Sequence, residues 1–405
     1  MKKVLTGLDI LVAEQFKRLR GLRVGLVAHP ASVDAGLRHA ADLIRAAPGV
    51  TLAAVFGPEH GWLGQAQDLE PVDDESGKRE GGKAETGSRQ GPRVISLYGQ
   101  TVASLRPTAE QLAGLDALVI DLQDIGSRYY TFQATMLYCL EAAHVIGLRV
   151  MILDRPNPLG GVVVEGPALQ PGYESFVGPH NMATRHGLTM GELARFYQAA
   201  RNLERSQVEI IKCAGWRRGM YFEDTGLPWV LPSPNMPTVE TAVVYPGQCL
   251  LEGTNLSEGR GTTRPFELFG APWLEAASLA RKLNAEELPG VVFRAAGFKP
   301  TFQKHAGREC GGVQLHVTDR AVFQPVRTSL MLLAVMRELS GDDFRWRTET
   351  YEFVDNPIAI DLLFGSDRER RALEAGQHWR EIAAGWEQEE AAWREAAKAC
   401  IIYPV

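Results

Sequence analysis

Six apolar runs punctuate the first half of the chain, and several of them end abruptly in charged or polar tips. They lie at Arg23–Ala28, Leu52–Phe56, Val94–Leu97, Ala117–Ile120, Arg149–Leu153 and Val208–Ile211. Continuous runs of this length, without alternation, are the pattern of strands covered on both faces in a parallel sheet. Between them the apolar spacing changes to a helical one. Leu37, Ala40, Ala41, Leu43 and Ile44 share a face within Gly36–Ala46, and Phe132, Met136, Leu137, Leu140 and Ala143 do so within Phe132–Ile146. Thr189-Met190-Gly191-Glu192 has capping-box spacing and opens a further helix over Leu193–Ala200. Strands alternating with helices predict an α/β fold, a Rossmann-like doubly wound parallel sheet.

The pattern changes after Pro237. Thr238–Cys249 reads as a short helix, followed by the Gly-, Thr- and Arg-rich run from Glu252 to Glu267. A helix over Leu274–Leu283, strands near Val291–Ala295 and Gly312–Val317, a helix over Pro325–Leu339 and a mostly helical tail complete the chain. We therefore expect residues 1–237 to form the Rossmann-like catalytic domain and 238–405 a smaller α+β domain closing the cleft. A length of 405 residues is too great for one ordinary core and agrees with two. The polar stretch Gln65–Pro92 has no period and reads either as a functional lid or as disordered chain.

Composition narrows the function by exclusion. Hydrophobic residues at 45% and charged ones at 23% are ordinary for a globular protein, and a net charge of -6 leaves no basic footprint for nucleic acid or an anionic membrane. No apolar run nears the roughly 20 residues that span a bilayer. The five cysteines are scattered without a CxxC, so they read as reduced thiols and not as a zinc site or disulfide frame. Residues 1–9 contain no apolar leader core or cleavage site, which gives the expectation of a cytoplasmic protein, or an exported one if a leader was trimmed. The histidines form no HxH or HExxH pair, and GxGxxG and GxxxxGK[ST] loops are missing. Metal, NAD and ATP are disfavoured, and no cofactor is expected.

Chemistry concentrates at the ends of the apolar runs, where ligands sit in open α/β sheets. Glu59 lies in Gly57-Pro58-Glu59-His60-Gly61 and reads either as a general acid or as a carboxylate tying down its loop; His60 reads as a hydrogen-bonding neighbour. Asp121, Gln123, Asp124, Arg128, Tyr129 and Tyr130 form a dense cluster suited to a sugar or a carboxylate, or else an internal Asp–Arg pair holding the turn. Asn157, within Asp154–Gly161, could bind or cap. Glu165 offers another carboxylate at an expected loop. Arg185 and His186 precede the capping-box helix, whose N-terminus favours anions. Glu252, Asn255 and Arg260 lie in a segment richer in polar groups than a linker needs.

The segments VLTGL (4–8), GPEHG (57–61), DLQDIGSRYYTF (121–132), DRPNPLGG (154–161), EGP (165–167), HGLTMGE (186–192), PSPNMP (232–237), Tyr245-Pro246 and EGTNLSEGRGTTR (252–264) together resemble the DUF1343 family. Its characterised members are NamZ-type exo-β-N-acetylmuramidases, and the resemblance spans nearly the whole chain. It implies a Rossmann-like domain plus a smaller one, a cleft between them, no cofactor, and release of N-acetylmuramic acid from the non-reducing end of peptidoglycan fragments. By position, Glu59 would be the catalytic acid. Glu165 is the first choice of partner, with Asp121, Asp124 and Glu252 behind it. The binding set comprises His60, Asp124, Arg128, Tyr129, Tyr130, Asn157, Arg185, His186, Asn235, Glu252, Asn255 and Arg260. Within Gly77–Gly91 the chain departs from the family's pattern. A muropeptide-binding protein without catalysis, or a hydrolase of another acidic amino sugar, are the alternative readings.

Overall fold

The computed structural model describes residues 3–67, 69–74, 91–204 and 207–405. Strands β1 (Arg23–Ala28), β2 (Thr51–Gly57), β3 (Arg93–Ser96), β4 (Ala117–Asp121), β5 (Arg149–Leu153) and β8 (Val208–Ile211) form one parallel sheet in the order β3-β2-β1-β4-β5-β8. All five pairings are parallel. The strand order reverses at β1, so the chain leaves β1 and β4 in opposite directions and opens a crevice beyond their carboxyl ends. Leu26, Val119, Met151 and Leu153 pack on one face of the sheet, while Val27, Leu118, Ile120, Val150 and Ile152 pack on the other. Burial on both faces is why these strands read as unbroken apolar runs.

Helices fall close to their expected places. Phe132–Ile146 is helical over that whole span, and the Thr189–Glu192 capping box is formed in both directions at the head of Met190–Ala200. The helix expected from Gly36 starts later, at Ala40. Asp34 accepts bonds from the amides of Gly36 and Arg38, which holds residues 34–38 in a turn, and the His39 ring then caps the helix through the Ala41 amide.

One local expectation fails. Glu165-Gly166-Pro167 is not a loop: β6 (Glu165–Ala168) pairs antiparallel with β7 (Ala183–Arg185) in a small two-stranded sheet. The polar Gln65–Pro92 stretch lies largely outside the described residues, which omit 75–90.

The C-terminal half carries the antiparallel sheet β10-β11-β9, made of Val291–Phe298, Cys310–Val317 and Leu268–Ala271. Helix Pro325–Ser340 crosses helix Val239–Gln248 at very close range. A Cβ at Gly247 would stand 1.9 Å from the Pro325 carbonyl oxygen, so this crossing requires glycine. All five cysteines are buried and free. Among the described residues no helix is long and apolar enough to cross a membrane.

Candidate active site

β2 ends at Gly57, and the next four residues turn sharply, with the Gly61 amide bonded to the Pro58 carbonyl at 2.9 Å. A side chain at Gly57 would place its Cβ 2.6 Å from the Trp62 amide, and His60 sits in the left-handed region at φ 71°. This tight turn aims the Glu59 carboxylate, 5% exposed, across the crevice. Its Oε2 accepts the Thr131 hydroxyl at 2.5 Å, and Thr131 heads the helix that follows β4. Strands β2 and β4 flank β1 on its two sides, so their outgoing segments meet above it.

The facing wall comes from the C-terminal half. Glu59, His60, Tyr129, Tyr130, Thr131 and Asn235 share a pocket with Tyr245, Glu252, Arg260, Phe266, Tyr351 and Glu352. Tyr130, Tyr245 and Phe266 form a run of edge-on rings, with centroids 5.8 and 4.8 Å apart. The Arg260 guanidinium lies over the Phe266 ring at 5.0 Å.

Glu252 is the second firmly held acid. Its Oε1 accepts from Arg260 at 2.7 Å and its Oε2 accepts from the Tyr351 hydroxyl at 2.7 Å. Burial alone would push this carboxyl up, but the Arg260 charge and these two bonds outweigh it and hold it below its ordinary value. Glu252 therefore stays ionised. Burial pushes the Tyr130 hydroxyl well above the usual phenol range, leaving a neutral hydroxyl in the pocket.

Several expected site residues are brought here and others are not. Glu59, His60, Tyr129, Tyr130, Asn235, Glu252 and Arg260 line the pocket. Asp121 does not: it is fully buried and clamped by Arg155 through bonds of 2.6 and 2.9 Å. Asp124 accepts from the Gly126 amide and faces the His186 ring at 3.3 Å, and both side chains are enclosed. Asn157 caps its own turn, donating to the Leu188 carbonyl and accepting from the Leu159 amide. Arg185 donates to the Leu159 carbonyl. Asn255 ties its loop to the Asp343 carbonyl, outside the pocket lining. Arg128 is wholly buried, donating to the carbonyls of Pro167, Met182, Leu363 and Phe364.

Glu165, the first choice as Glu59's partner, is also absent from the pocket lining. Its Oε1 accepts the Arg327 amide at 2.8 Å, with the Arg327 guanidinium at 3.8 Å. Burial raises its carboxyl to about 7, against the lowering pull of Arg327 and Arg185; Glu390 adds to the rise. A carboxyl whose folded value exceeds its unfolded one holds its proton more tightly in the native state, so stability falls as pH rises between the two values. Glu165→Gln is expected to flatten the decline in thermal stability from about pH 4.5 to 7. Parallel melting curves for the two proteins across that range check this.

Thr131, Tyr245, Tyr351 and Glu352 are among the lining residues that were not singled out as site residues. Thr131 could have been found, since it closes the polar cluster that begins at Asp121. Tyr245 sits in a Tyr-Pro pair inside a helix, where nothing but the family resemblance marked it. Tyr351 and Glu352 fall in a stretch with no periodic pattern, and no signal pointed to them.

Comparison with known proteins fits this geometry. The family model described as exo-β-N-acetylmuramidase NamZ, N-terminal, matches residues 24–240, and its C-terminal counterpart matches residues 243–403. The chain belongs to the NamZ family. It is 43% identical over 401 residues to the peptidoglycan β-N-acetylmuramidase NamZ of Bacillus subtilis, covering 99% of this chain and 92% of that protein. It also resembles two crystal structures of DUF1343-family proteins from Bacteroides fragilis. One has 32% identity and a TM-score of 0.85 with full coverage of both chains. The other has 26% identity and a TM-score of 0.75, covering 100% of this chain and 99% of that one. The GPEHG glutamate at the head of the pocket thus lies on a NamZ fold.

Proposed function

We propose that this protein is an exo-β-N-acetylmuramidase, a glycosidase that removes N-acetylmuramic acid from the non-reducing end of peptidoglycan fragments during cell-wall turnover. The observation that carries the reading is the convergence of Glu59 with an ionised Glu252–Arg260 pair and a wall of aromatic rings in one pocket. The pocket's mix of rings and a few placed polar groups suits a sugar. Glu59 is well placed to protonate the departing glycosidic oxygen. Arg260 is the one guanidinium among the described lining residues and is the group we assign to the lactyl carboxylate. We also retain a division near Pro237 as our reading of the domain organisation, with substrate entering between the halves.

Paired substrates test this reading. A chromogenic N-acetylmuramide should be turned over with kcat/KM roughly 10–10²-fold above the same glycoside lacking the lactyl group, as expected for one charge-assisted hydrogen bond of about 1.5–3 kcal/mol. Equal rates on the two substrates would remove Arg260 from recognition. Tight binding without any product would make the protein a sensor.

A further inference from the structure

The segment that delivers Tyr351 and Glu352 has an unusual backbone. Tyr351 and Val354 exchange both amide–carbonyl bonds, each at 2.9 Å, so residues 352 and 353 form a two-residue hairpin loop. Both loop residues have positive φ, 46° at Glu352 and 66° at Phe353. Such loops ordinarily carry Asn-Gly or another pair that tolerates the left-handed region. A glutamate and a phenylalanine there are costly, because their Cβ atoms crowd the following carbonyl. Strain of this kind persists where the side chains it positions matter.

The two side chains have distinct destinations. Phe353 packs edge-on to Tyr98, with ring centroids 5.4 Å apart. Glu352, 6% exposed, turns into the same pocket as Glu59, and its Oε2 accepts the Tyr98 hydroxyl at 2.9 Å. Tyr98 follows β3 of the parallel sheet, so one tyrosine from the N-terminal half fixes both residues of a loop from the C-terminal half. Glu252, the other acid on this wall, is tied to Arg260 and to the Tyr351 hydroxyl, each at 2.7 Å.

We propose that Glu352 is a catalytic residue, the carboxylate that works opposite Glu59. In this step Glu59 gives its proton to the glycosidic oxygen, and the electron pair of the breaking C1–O bond leaves with that oxygen. A water oxygen bonds to C1 and its proton passes to Glu352. Both carboxyls then exchange protons with solvent, and the net reaction is addition of one water. The proposal rests on the hydrolytic reading above and extends it to a second acid.

Glu352→Asn and Glu352→Gly test it in the full-length protein, because both residues accept a left-handed backbone more readily than Glu. The expected result is an unchanged or higher Tm with release of N-acetylmuramic acid down about 10²–10⁴-fold. Added formate or azide should restore part of the rate in Glu352→Gly, which a structural role would not allow. Turnover within tenfold of wild type overturns the proposal. So does lost activity that small anions do not rescue, or that comes with a lowered Tm. Wild type is assayed alongside: if it too releases no sugar, the hydrolytic reading has failed and this proposal with it.

Discussion

Glu59→Gln should lower the release of N-acetylmuramic acid by about 10²–10⁴-fold, the usual worth of a general acid, and leave the fold intact. Gln fills the same volume and can still meet the Thr131 hydroxyl that Glu59 engages at 2.5 Å. The tight turn that presents residue 59 depends on Gly57 and on the backbone at His60 and Gly61, none of which changes. Gln also adds no bulk and no charge to a pocket that holds Glu252 and Glu352, so stability should hold. Substrate binding, measured by calorimetry on the inactive variant, should persist. A Glu59→Gln protein with near wild-type turnover would take this residue out of the reaction.

Arg128→Met should act on stability instead of rate. Four buried carbonyls, from Pro167, Met182, Leu363 and Phe364, accept bonds of 2.7–2.8 Å from this one guanidinium. Leaving a buried acceptor unsatisfied costs about 1–3 kcal/mol. Four of them, set against the recovered cost of burying the charge, give an expected loss of about 3 kcal/mol or more. That burial is large enough to lower the guanidinium to about 10, which still leaves it charged at neutral pH. Urea denaturation should show the loss directly, while KM in the folded protein stays near wild type. A raised KM with unchanged stability would return Arg128 to substrate binding.

Arg128 also shows where reading the sequence runs out. An arginine between Asp124 and Tyr129 in a polar βα loop has every local mark of a binding residue. Its true partners include Leu363 and Phe364, more than 230 residues away in sequence, and no local pattern announces that another part of the chain will close over it. Asp121 and Glu165 were ambiguous for the same reason. Whether a buried carboxylate meets Arg155, Arg327 or a sugar is decided by tertiary contacts. The parallel sheet was legible because strands buried on both faces need unbroken apolar runs, and β1, β5 and β8 fall on those runs residue for residue. β6 was missed because Gly166 and Pro167 carry turn signals that its pairing with β7 overrides. The GPEHG turn was legible as part of the pocket wall because a glutamate between two glycines at a strand tip has little packing reason to be there. Glu352 left no such trace, since its left-handed conformation is visible in the backbone alone.

The account stands most directly on what happens to a disaccharide with N-acetylmuramic acid at its non-reducing end. After incubation with the purified protein, mass analysis should show free N-acetylmuramic acid and its former partner sugar, each intact. Recovery of the uncleaved disaccharide, or cleavage confined to internal bonds of longer chains, would contradict an exo-acting muramidase built around Glu59.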